Sequence, residues 1–460
     1  MEGYRRTCSA RPQILRRDKV PPTHFRLRHF LSNDMRFFSE FKSKLEALVT
    51  VHPVAAIVIL SLIVKLGYIL ALGGGLGTFP ADGSDASFYD QVARELLSSG
   101  TFGIAPNQPI IGTPPGQAYF LAALYAVSDS SIIFAKLAHV GLLTLVAVLT
   151  FLTGQELAGR NVGFWAGALI AVDPAQAYLS GTFLSEPLFT FLMVLGIYFL
   201  IRYRPHPRVA WLIGAGVLFG LAGLTRNEGW LFSIALLFGS IVTRGRVLSA
   251  RAAVVVALFT VAVILPWTYR NYLSTGKLVL VSSNGGLTLW SANNPEFQWR
   301  QPMPMSLPIY DIPAGLSETE IDSYFRQRAV EWIASHPVEF ATNAVEKVIV
   351  LYSFDPLSRR SNQEMLYRLV GLVPYGILFP FVLLGLAINL NNKKLGILLG
   401  YILFMTLLAA IFFGDSRVRA PIQSYLYVYG ILGVQACGRW LQRGRSRDLA
   451  IPGVAGDKIR

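Results

Sequence analysis

The chain has 460 residues, of which 53% are hydrophobic and 15% are charged, and its formal net charge is +14. Its mean hydropathy of +0.47 excludes a purely soluble enzyme, because several stretches are too apolar for a water-facing surface. A membrane-spanning helix needs about 20 mostly apolar residues, and such stretches recur from Val51 almost to the end of the chain. The sequence therefore predicts a polytopic membrane protein.

The positive charge is concentrated at the two ends of the chain. Residues 1–50 carry eleven Lys/Arg against five Asp/Glu, and residues 438–460 carry six against two. Basic residues beside the first and last spans obey the positive-inside rule and meet anionic lipid headgroups, which argues against a nucleic-acid surface. We expect these basic ends to interact with membrane lipids and not with nucleic acid. We also expect both termini to be cytoplasmic.

Ten apolar runs could cross the bilayer, each bounded by charge, Pro or Gly. They cover residues 51–72, 132–153, 162–180, 183–202, 209–224, 229–243, 251–268, 371–389, 395–413 and 420–437. The expected fold class is an all-α polytopic membrane protein with about 10 (10–13) transmembrane helices. An even number of crossings returns the chain to the cytoplasmic side.

This topology leaves two sizeable segments on the outer face. The first, about 73–131, includes a short apolar run at 117–127, which we expect to be a re-entrant or interfacial helix. The second, about 269–370, begins with an irregular Gly/Asn/Pro-rich stretch and continues with a helical pattern from Ser317 to about residue 354. Ser317 followed by Glu320 is a capping-box signal for the start of that helix.

These segments define the predicted domain organisation. It consists of a basic cytoplasmic tail (1–50), a transmembrane catalytic module (51–268) that includes the outer loop 73–131, an outer-face segment (269–370), C-terminal transmembrane helices (371–440) and a second basic cytoplasmic tail (441–460).

Several common functional motifs are absent from the sequence. There is no Walker loop, Rossmann glycine fingerprint or HExxH motif, so ATP-driven transport and zinc proteolysis lose their usual supports. The histidines show no metal-ligand spacing. We therefore expect no structural zinc, while a catalytic divalent cation stays open.

Ionisable residues near the membrane fall almost entirely on the predicted outer side. Such groups are costly there and often mark functional sites. Arginine can hold a phosphate through its planar fork, and a carboxylate can take a proton from an attacking hydroxyl. The pattern predicts one cavity for a substrate with an anionic head and an apolar tail. The residues concerned are Asp82, Asp85, Asp90, Asp173, Glu186, Arg226, Glu228, Arg270, Asp415, Arg417 and Arg419.

Between about residues 51 and 440, a series of short motifs resembles the C-type glycosyltransferases, a group that includes the protein O-mannosyltransferases and the lipid A aminoarabinose transferase. The motifs are Asp85-Ala-Ser-Phe-Tyr89, Thr113-Pro-Pro-Gly116, Leu184-Ser-Glu186-Pro-Leu, Gly220-Leu-Ala-Gly-Leu-Thr-Arg226, Pro266-Trp-Thr-Tyr-Arg270-Asn271, Ser282-Ser-Asn-Gly-Gly286 with Leu289-Trp290 and Asn293-Asn294-Pro295, and Arg417-Val-Arg419-Ala-Pro421. Their order along the chain makes the resemblance specific.

The resemblance implies an inverting transfer of one sugar from a polyprenyl monophosphate to an acceptor on the extracytoplasmic face of the plasma membrane. Asp85 would be the general base, as the first-loop aspartate four residues before Tyr89. Asp82 is the rival base, and a helix cap is the structural alternative for Asp85. The acceptor could be a lipid, a glycan or a protein.

The resemblance also suggests roles for other residues. Arg270, Arg417 and Arg419 would bind the donor phosphate, and Arg419 is preferred over Arg417 because it directly precedes the last span. A snorkelling anchor is the alternative for Arg270. The sugar, acceptor or supporting residues would be Glu186, Tyr89, Arg226, Glu228, Asn271, Trp290 and Asn293.

Several of these residues also have a purely structural interpretation. Glu186 could be a helix-start carboxylate that faces the helix dipole, and Arg226 with Glu228 could form an internal ion pair. Trp290 and Asn293 lie in a stretch whose aromatic faces and amides suit sugar binding, although Gly and Asn there also suit turns.

Three other functions remain open at this point. A lipid-linked glycan ligase or polymerase would use a diphosphate donor. A secondary transporter or flippase would use buried charges, although the charges here cluster at one face. A non-enzymatic scaffold would not need Asp85 for any chemistry.

Overall fold

The computed structural model describes residues 50–80, 85–297, 312–353, 372–414 and 416–448. The chain divides between Pro53 and Val54, and the features below belong to the part that follows. The described residues form sixteen α-helices and no strand. Asp82 and Asp415 from the predicted site lie outside them, as do residues 1–49 and 449–460 of the predicted tails.

The helices follow one another in this order: α1 Pro53–Ala71, α2 Asp85–Ser99, α3 Gly116–Ser128, α4 Ile132–Ala158, α5 Arg160–Val172, α6 Pro174–Ser180, α7 Glu186–Tyr203, α8 Val209–Thr225, α9 Glu228–Val242, α10 Ala250–Thr275, α11 Gly285–Ala292, α12 Glu318–Ser335, α13 Pro337–Leu351, α14 Phe379–Asn389, α15 Gly396–Ile411 and α16 Ala420–Asp448. A π-helical turn spans Leu372–Gly376, and a 3₁₀ turn spans Ser416–Arg419.

The architecture confirms the predicted fold class. Four helices, α1, α4, α7 and α10, are long and apolar enough to cross a membrane. Four shorter apolar segments, comprising α8, α9, Val373–Asn389 and α15, add to them. The described part of the chain is therefore an all-α integral membrane protein, and these apolar helices fall on eight of the ten predicted runs.

The predicted span at 162–180 forms two helices, and the run at 420–437 lies in α16, which is not among these apolar helices. Pro174 is the first residue of α6, and the Asp173 carboxylate accepts a hydrogen bond of 3.0 Å from the Gln176 amide as its N-cap. Pro lacks an N–H and suits a helix start, so the chain turns here. The buried Asp173 also accepts a 2.6 Å bond from the Tyr427 hydroxyl.

The helical pattern predicted from Ser317 to about residue 354 is likewise divided. It forms α12 and α13, which meet at His336 and Pro337, because the residue before a proline is disfavoured in the helical region. The predicted capping box is confirmed, with the Ser317 amide donating to Glu320 Oε2 at 2.9 Å. The run at 117–127 forms the short helix α3.

The loop between α2 and α3 is tied to the segment that carries α11 and α12. The Ile110 amide donates to the Phe102 carbonyl at 3.0 Å, and the Ile111 carbonyl accepts from the Ser283 amide at 2.9 Å. The Ile111 amide donates to Glu318 Oε2 at 2.8 Å. Both backbone groups of Ile111 are thus bound to the later segment, which fixes the turn leading into Gly116.

Small residues allow the closest helix crossings. A Cβ added at Gly433 on α16 would overlap the carbonyl oxygen of Phe381 on α14, and one added at Gly385 on α14 would overlap that of Tyr429. Small residues at such crossings let helix backbones approach within a membrane. The pairing of α14 with α16 therefore depends on these two glycines.

Gly433→Ala is expected to destabilise the protein by about 1–3 kcal/mol, because the methyl group must push α14 away from α16. Thermal unfolding in detergent measures the loss as a lower Tm. Gly438→Ala is the matched control on the same helix, since nothing lies within 4 Å of its added Cβ. An equal fall in Tm for both variants would contradict the close-packing role of Gly433.

Candidate active site

A cluster of five charged side chains forms where the ends of several helices meet. Its centre is Glu186, the first residue of α7, whose side chain is only 4% exposed. Its Oε1 lies 3.1 Å from Arg226 Nη1 and 3.7 Å from Arg417 Nε. Arg417 also reaches Asp85, with 3.9 Å between Nη1 and Oδ2. We call Asp85, Glu186, Arg226, Glu228 and Arg417 the Glu186 cluster.

Arg226 connects α8 to α9. It follows the last residue of α8, and its Nη2 lies 3.0 Å from Oε1 of Glu228, the first residue of α9. Burial alone would lower the pKa of Arg226, but Glu228 and Glu186 outweigh it and raise the pKa. The internal ion pair of Arg226 with Glu228, given above as the structural interpretation, is present. Arg226 also pairs with Glu186.

The two carboxylates that face Arg417 differ sharply in accessibility. The Asp85 side chain is 65% exposed, whereas that of Glu186 is 4% exposed. Asp85 begins α2, so its backbone position agrees with the helix-start alternative, while its side chain is open to a substrate. Asp82, the rival base, lies outside the described residues.

Tyr89 lies one helical turn after Asp85 and is half-buried. Burial raises its pKa to about 12, and the negative charge of Asp85 adds to the effect, while a hydrogen bond with Ser185 opposes it. The hydroxyl therefore stays protonated throughout the physiological range. Tyr89 can donate a hydrogen bond but cannot serve as a base.

Arg270, predicted to bind phosphate, is bound to the loop between α2 and α3. Its Nη1 donates to the Ile110 carbonyl at 2.8 Å, and its Nη2 donates to the Phe102 carbonyl at 3.3 Å. Its guanidinium also lies 4.6 Å from the Trp267 ring centre. The structure gives Arg270 a role in holding the loop before α3, and its neighbour Asn271 holds the Val281 carbonyl at 3.0 Å.

The preference for Arg419 over Arg417 is not supported by the geometry. Arg419 is 4% exposed, and its Nη1 donates to the carbonyls of Leu351, at 2.9 Å, and Ser353 at the end of α13. Its guanidinium stacks 4.0 Å from the centre of the Tyr375 ring. The 3₁₀ turn therefore sends Arg419 into the protein and Arg417 toward Asp85.

Trp290 and Asn293, which the sequence suggests as acceptor contacts, both make contacts within the protein. Trp290 is 3% exposed and packs with Phe325 and Trp332 of α12. The buried Asn293 donates to the Ile411 carbonyl at 2.9 Å and accepts from Lys347 at 2.9 Å. Sequence reasoning could not separate an aromatic platform from an aromatic core.

Two cavities adjoin at Thr225, the last residue of α8. The larger, of about 750 Å³, includes Tyr89, Arg226 and Glu228 in its wall. The smaller, of about 590 Å³, is mostly apolar and reaches Arg270. Thr225 lines both cavities.

The Thr113-Pro-Pro-Gly116 motif forms part of the partition between the cavities. Pro114 faces the larger cavity, whereas Pro115 and Gly116 face the smaller one. Gly116 lies so close to α8 that an added Cβ would be 2.5 Å from Thr225 Oγ1. The motif and Thr225 together separate the two cavities.

Sequence reasoning missed three charged residues in the wall of the larger cavity, Lys277, Asp322 and Arg326. Asp322 and Arg326 form an ion pair four residues apart on α12. Their helical spacing was the available signal, but it is also typical of a solvated helix surface.

Metal binding has no support from grouped side chains. Among the residues that the structure describes, no three His, Cys, Asp or Glu side chains lie close enough together to hold a metal ion. Within the Glu186 cluster, guanidinium groups lie beside the carboxylates. Asp82 and Asp415, which neighbour the cluster in sequence, lie outside the residues that the structure describes.

Arg419→Gln is expected to lower stability by about 1–3 kcal/mol, because buried carbonyls of Leu351 and Ser353 lose their charged donor. Arg417→Gln is expected to have a smaller effect, since the side chain of Arg417 is 29% exposed. Thermal unfolding in detergent compares the two variants. A larger fall in Tm for Arg417→Gln would contradict the assignment of Arg419 as the buried anchor.

Comparison with known protein families gives a match to part of the chain. Residues 112–269, about a third of the chain, match the family of dolichyl-phosphate-mannose-protein mannosyltransferases. No curated protein matches the chain.

Solved structures show a similar fold at low sequence identity. The archaeal oligosaccharyltransferase AglB from Archaeoglobus fulgidus, in complex with an inhibitory peptide and a dolichol-phosphate, has a TM-score of 0.52 and 14% identity over 90% of this chain and 53% of its own. The Archaeoglobus fulgidus oligosaccharyltransferase tethered to an acceptor peptide has a TM-score of 0.54 and 14% identity over 90% and 52%. The chain thus spans about half the length of these structures.

ArnT from Cupriavidus metallidurans, bound to undecaprenyl phosphate, has a TM-score of 0.41 and 17% identity over 85% of this chain and 78% of its own. The resemblance predicted from the sequence motifs is confirmed by the family match and by the fold of the oligosaccharyltransferases. The chain has the fold of the C-type integral membrane glycosyltransferases.

Proposed function

We propose that the chain is an inverting glycosyltransferase that moves a single sugar from a polyprenyl monophosphate to a hydroxyl group. The observation that carries this proposal is the Glu186 cluster: an exposed Asp85 lies 3.9 Å from Arg417, and Arg226 and Glu228 of the same cluster line the larger cavity. A base and a cation in a cluster that reaches one cavity, with a second cavity beyond Thr225, suit a reaction between a donor and an acceptor.

The smaller cavity suits the donor lipid. Its wall contains leucines of α7 and α8, among them Leu188, Leu192 and Leu221, together with Trp267. Arg270 reaches this cavity, and its hydrogen bonds to Ile110, Phe102 and Asn271 use three of its five guanidinium N–H groups. The prenyl chain would lie along the leucines, with its phosphate toward Arg270. The solved AglB complex contains a dolichol-phosphate, which supports a prenyl carrier.

In the proposed reaction, the acceptor hydroxyl attacks the anomeric carbon while Asp85 takes its proton. The bond between that carbon and the phosphate oxygen breaks, and the phosphate leaves with its electron pair. A single displacement inverts the anomeric centre. A carboxylate close to a cation but exposed to the substrate is suited to this proton transfer.

Arg417 and Glu186 have supporting roles. Arg417 would hold Asp85 in place and offset the charge that develops on the leaving phosphate. The buried Glu186 would fix the guanidinium groups of Arg226 and Arg417, since it contacts both. The Tyr89 hydroxyl, which keeps its proton, would donate a hydrogen bond to the sugar or acceptor.

The orientation in the membrane belongs to the same proposal. The basic tails would be cytoplasmic, so the Glu186 cluster would lie on the extracytoplasmic face. Residues 51–268 would form the catalytic module, 269–370 the outer-face segment and 371–440 the C-terminal transmembrane helices. An activated sugar already attached to a lipid needs no nucleotide-binding domain.

A second candidate is transfer of a preassembled glycan from a lipid diphosphate. The oligosaccharyltransferase folds with TM-scores of 0.52 and 0.54 favour it. The two reactions differ in the leaving group. Activity with a polyprenyl monophosphate sugar therefore distinguishes them.

Asp85→Asn is expected to reduce transfer by about 10²–10⁴-fold, because the amide cannot accept the proton. The measurement is transfer of label from a panel of radiolabelled polyprenyl monophosphate sugars to endogenous membrane acceptors, using purified enzyme in vesicles.

Asp129→Asn is the matched control, because Asp129 is exposed and caps α3 with positive φ, a conformation that Asn also adopts. Full activity of Asp85→Asn would reject Asp85 as the base and make Asp82 the next residue to test.

A further inference from the structure

The larger cavity has one wall made by apolar membrane helices. Leu231, in the first turn of α9, and Met405 and Leu408 of α15 line this wall, and Phe412 follows at the end of α15. Met405 precedes the last residue of α15, Ile411, by six positions, which is about 9 Å at 1.5 Å per residue. The cavity therefore extends below the end of α15 by more than one helical turn.

The opposite wall is polar and hydrogen-bonding. Asn227 Nδ2 donates to Ser282 Oγ at 2.9 Å, and Ser282 Oγ donates to Asn284 Oδ1 at 3.0 Å. Ser283 adds a buried hydroxyl that has no hydrogen-bond partner among the described residues. The wall therefore offers amide and hydroxyl groups for hydrogen bonding.

Charge in the polar wall is balanced. Arg326 is paired with Asp322, and Lys277 is paired with Glu320 at 3.4 Å. Arg226 is paired with Glu228. The wall therefore suits a hydroxylated group better than a strongly charged one.

The apolar wall favours one class of acceptor over the others. A soluble glycan or a polar peptide would bring polar groups against Leu231, Met405 and Leu408, which is unfavourable without hydrogen-bond partners. An amphiphile matches both walls, with its head among Asn227, Ser282 and Asn284 and its hydrocarbon chain along α9 and α15.

Resting on the function proposed above, we propose that the larger cavity binds the acceptor and that this acceptor is a membrane lipid with a hydroxylated head group. The donor occupies the smaller cavity, on the other side of Thr225 and the Thr113-Pro-Pro-Gly116 motif. The two lipids then reach the Glu186 cluster from different cavities, as a single displacement with inversion requires.

The test uses the full chain in vesicles with labelled polyprenyl monophosphate sugars. Acceptors are supplied separately as the total lipid extract of the producing cells, as their delipidated membrane protein, and as water-soluble glycans. Mild acid then releases sugar from remaining donor phosphate but leaves glycosides intact. The expected product is acid-stable label in the organic phase, formed only with the lipid extract.

Met405→Trp fills the apolar wall and is expected to lower this lipid labelling about tenfold through raised KM for the lipid extract. Leu407→Trp is the matched control, because Leu407 is on the same helix but is 60% exposed; it should retain wild-type labelling. Ser323→Trp fills the cavity from the exposed face of α12, so the test survives if Met405→Trp does not fold.

The outcomes separate the two proposals. Acid-stable label in protein or soluble glycan only would overturn the lipid acceptor while leaving the glycosyltransferase in place. Lipid labelling that both filling variants leave unchanged would overturn the assignment of the cavity. Failure of wild type to move label from any donor into any of the three fractions would overturn the function proposed above, and this inference with it.

Discussion

The burial of Glu186 is the constraint on which the site depends. An isolated carboxylate away from water is costly unless cations and hydrogen bonds compensate it. Here the compensation comes from Arg226 and Arg417, which lie far apart in sequence. Satisfying one buried charge therefore brings the ends of α7 and α8 and the turn before α16 to a common point. The exposed Asp85 joins this arrangement through Arg417 and not through a buried contact of its own.

The turn Ser416–Arg419 shows how one short element serves both structure and site. Arg419 is fixed by carbonyls at the end of α13 and by the ring of Tyr375. An anchor two residues away limits the positions that Arg417 can take. The side chain that faces Asp85 is thus oriented by its buried neighbour, which makes the two arginines unequal despite their similar sequence setting.

The sequence predicts the helices well where a single physical signal dominates. Apolar runs locate the membrane helices because the bilayer imposes both length and composition. The break at Asp173 was missed because mean hydropathy does not register a cap and a proline inside an apolar run. The short helix α3 and the capping box at Ser317 were predicted, since each follows from local chemistry.

The site was predictable as a set of candidate charges, but not as a geometry. Asp85, Glu186, Arg226, Glu228 and Arg417 stand out as charges at span ends, and the fold brings them together. For the other candidate residues, burial decides whether the side chain can reach a ligand. Burial is a property of tertiary packing. Trp290 and Arg419 are suitable chemical types for binding a ligand, yet each has its polar or aromatic surface occupied by other parts of the protein.

The backbone hydrogen bonds of Ile111 to Ser283 and Glu318 join the loop between α2 and α3 to the segment that carries α11 and α12. The turn at Thr113-Pro-Pro-Gly116 follows directly, so a displacement of α12 would be transmitted to the partition between the cavities. Glu318 is also the first residue of α12, close to the polar wall of the larger cavity. The partition between the cavities is therefore held by the same segment that forms the polar wall of the larger cavity.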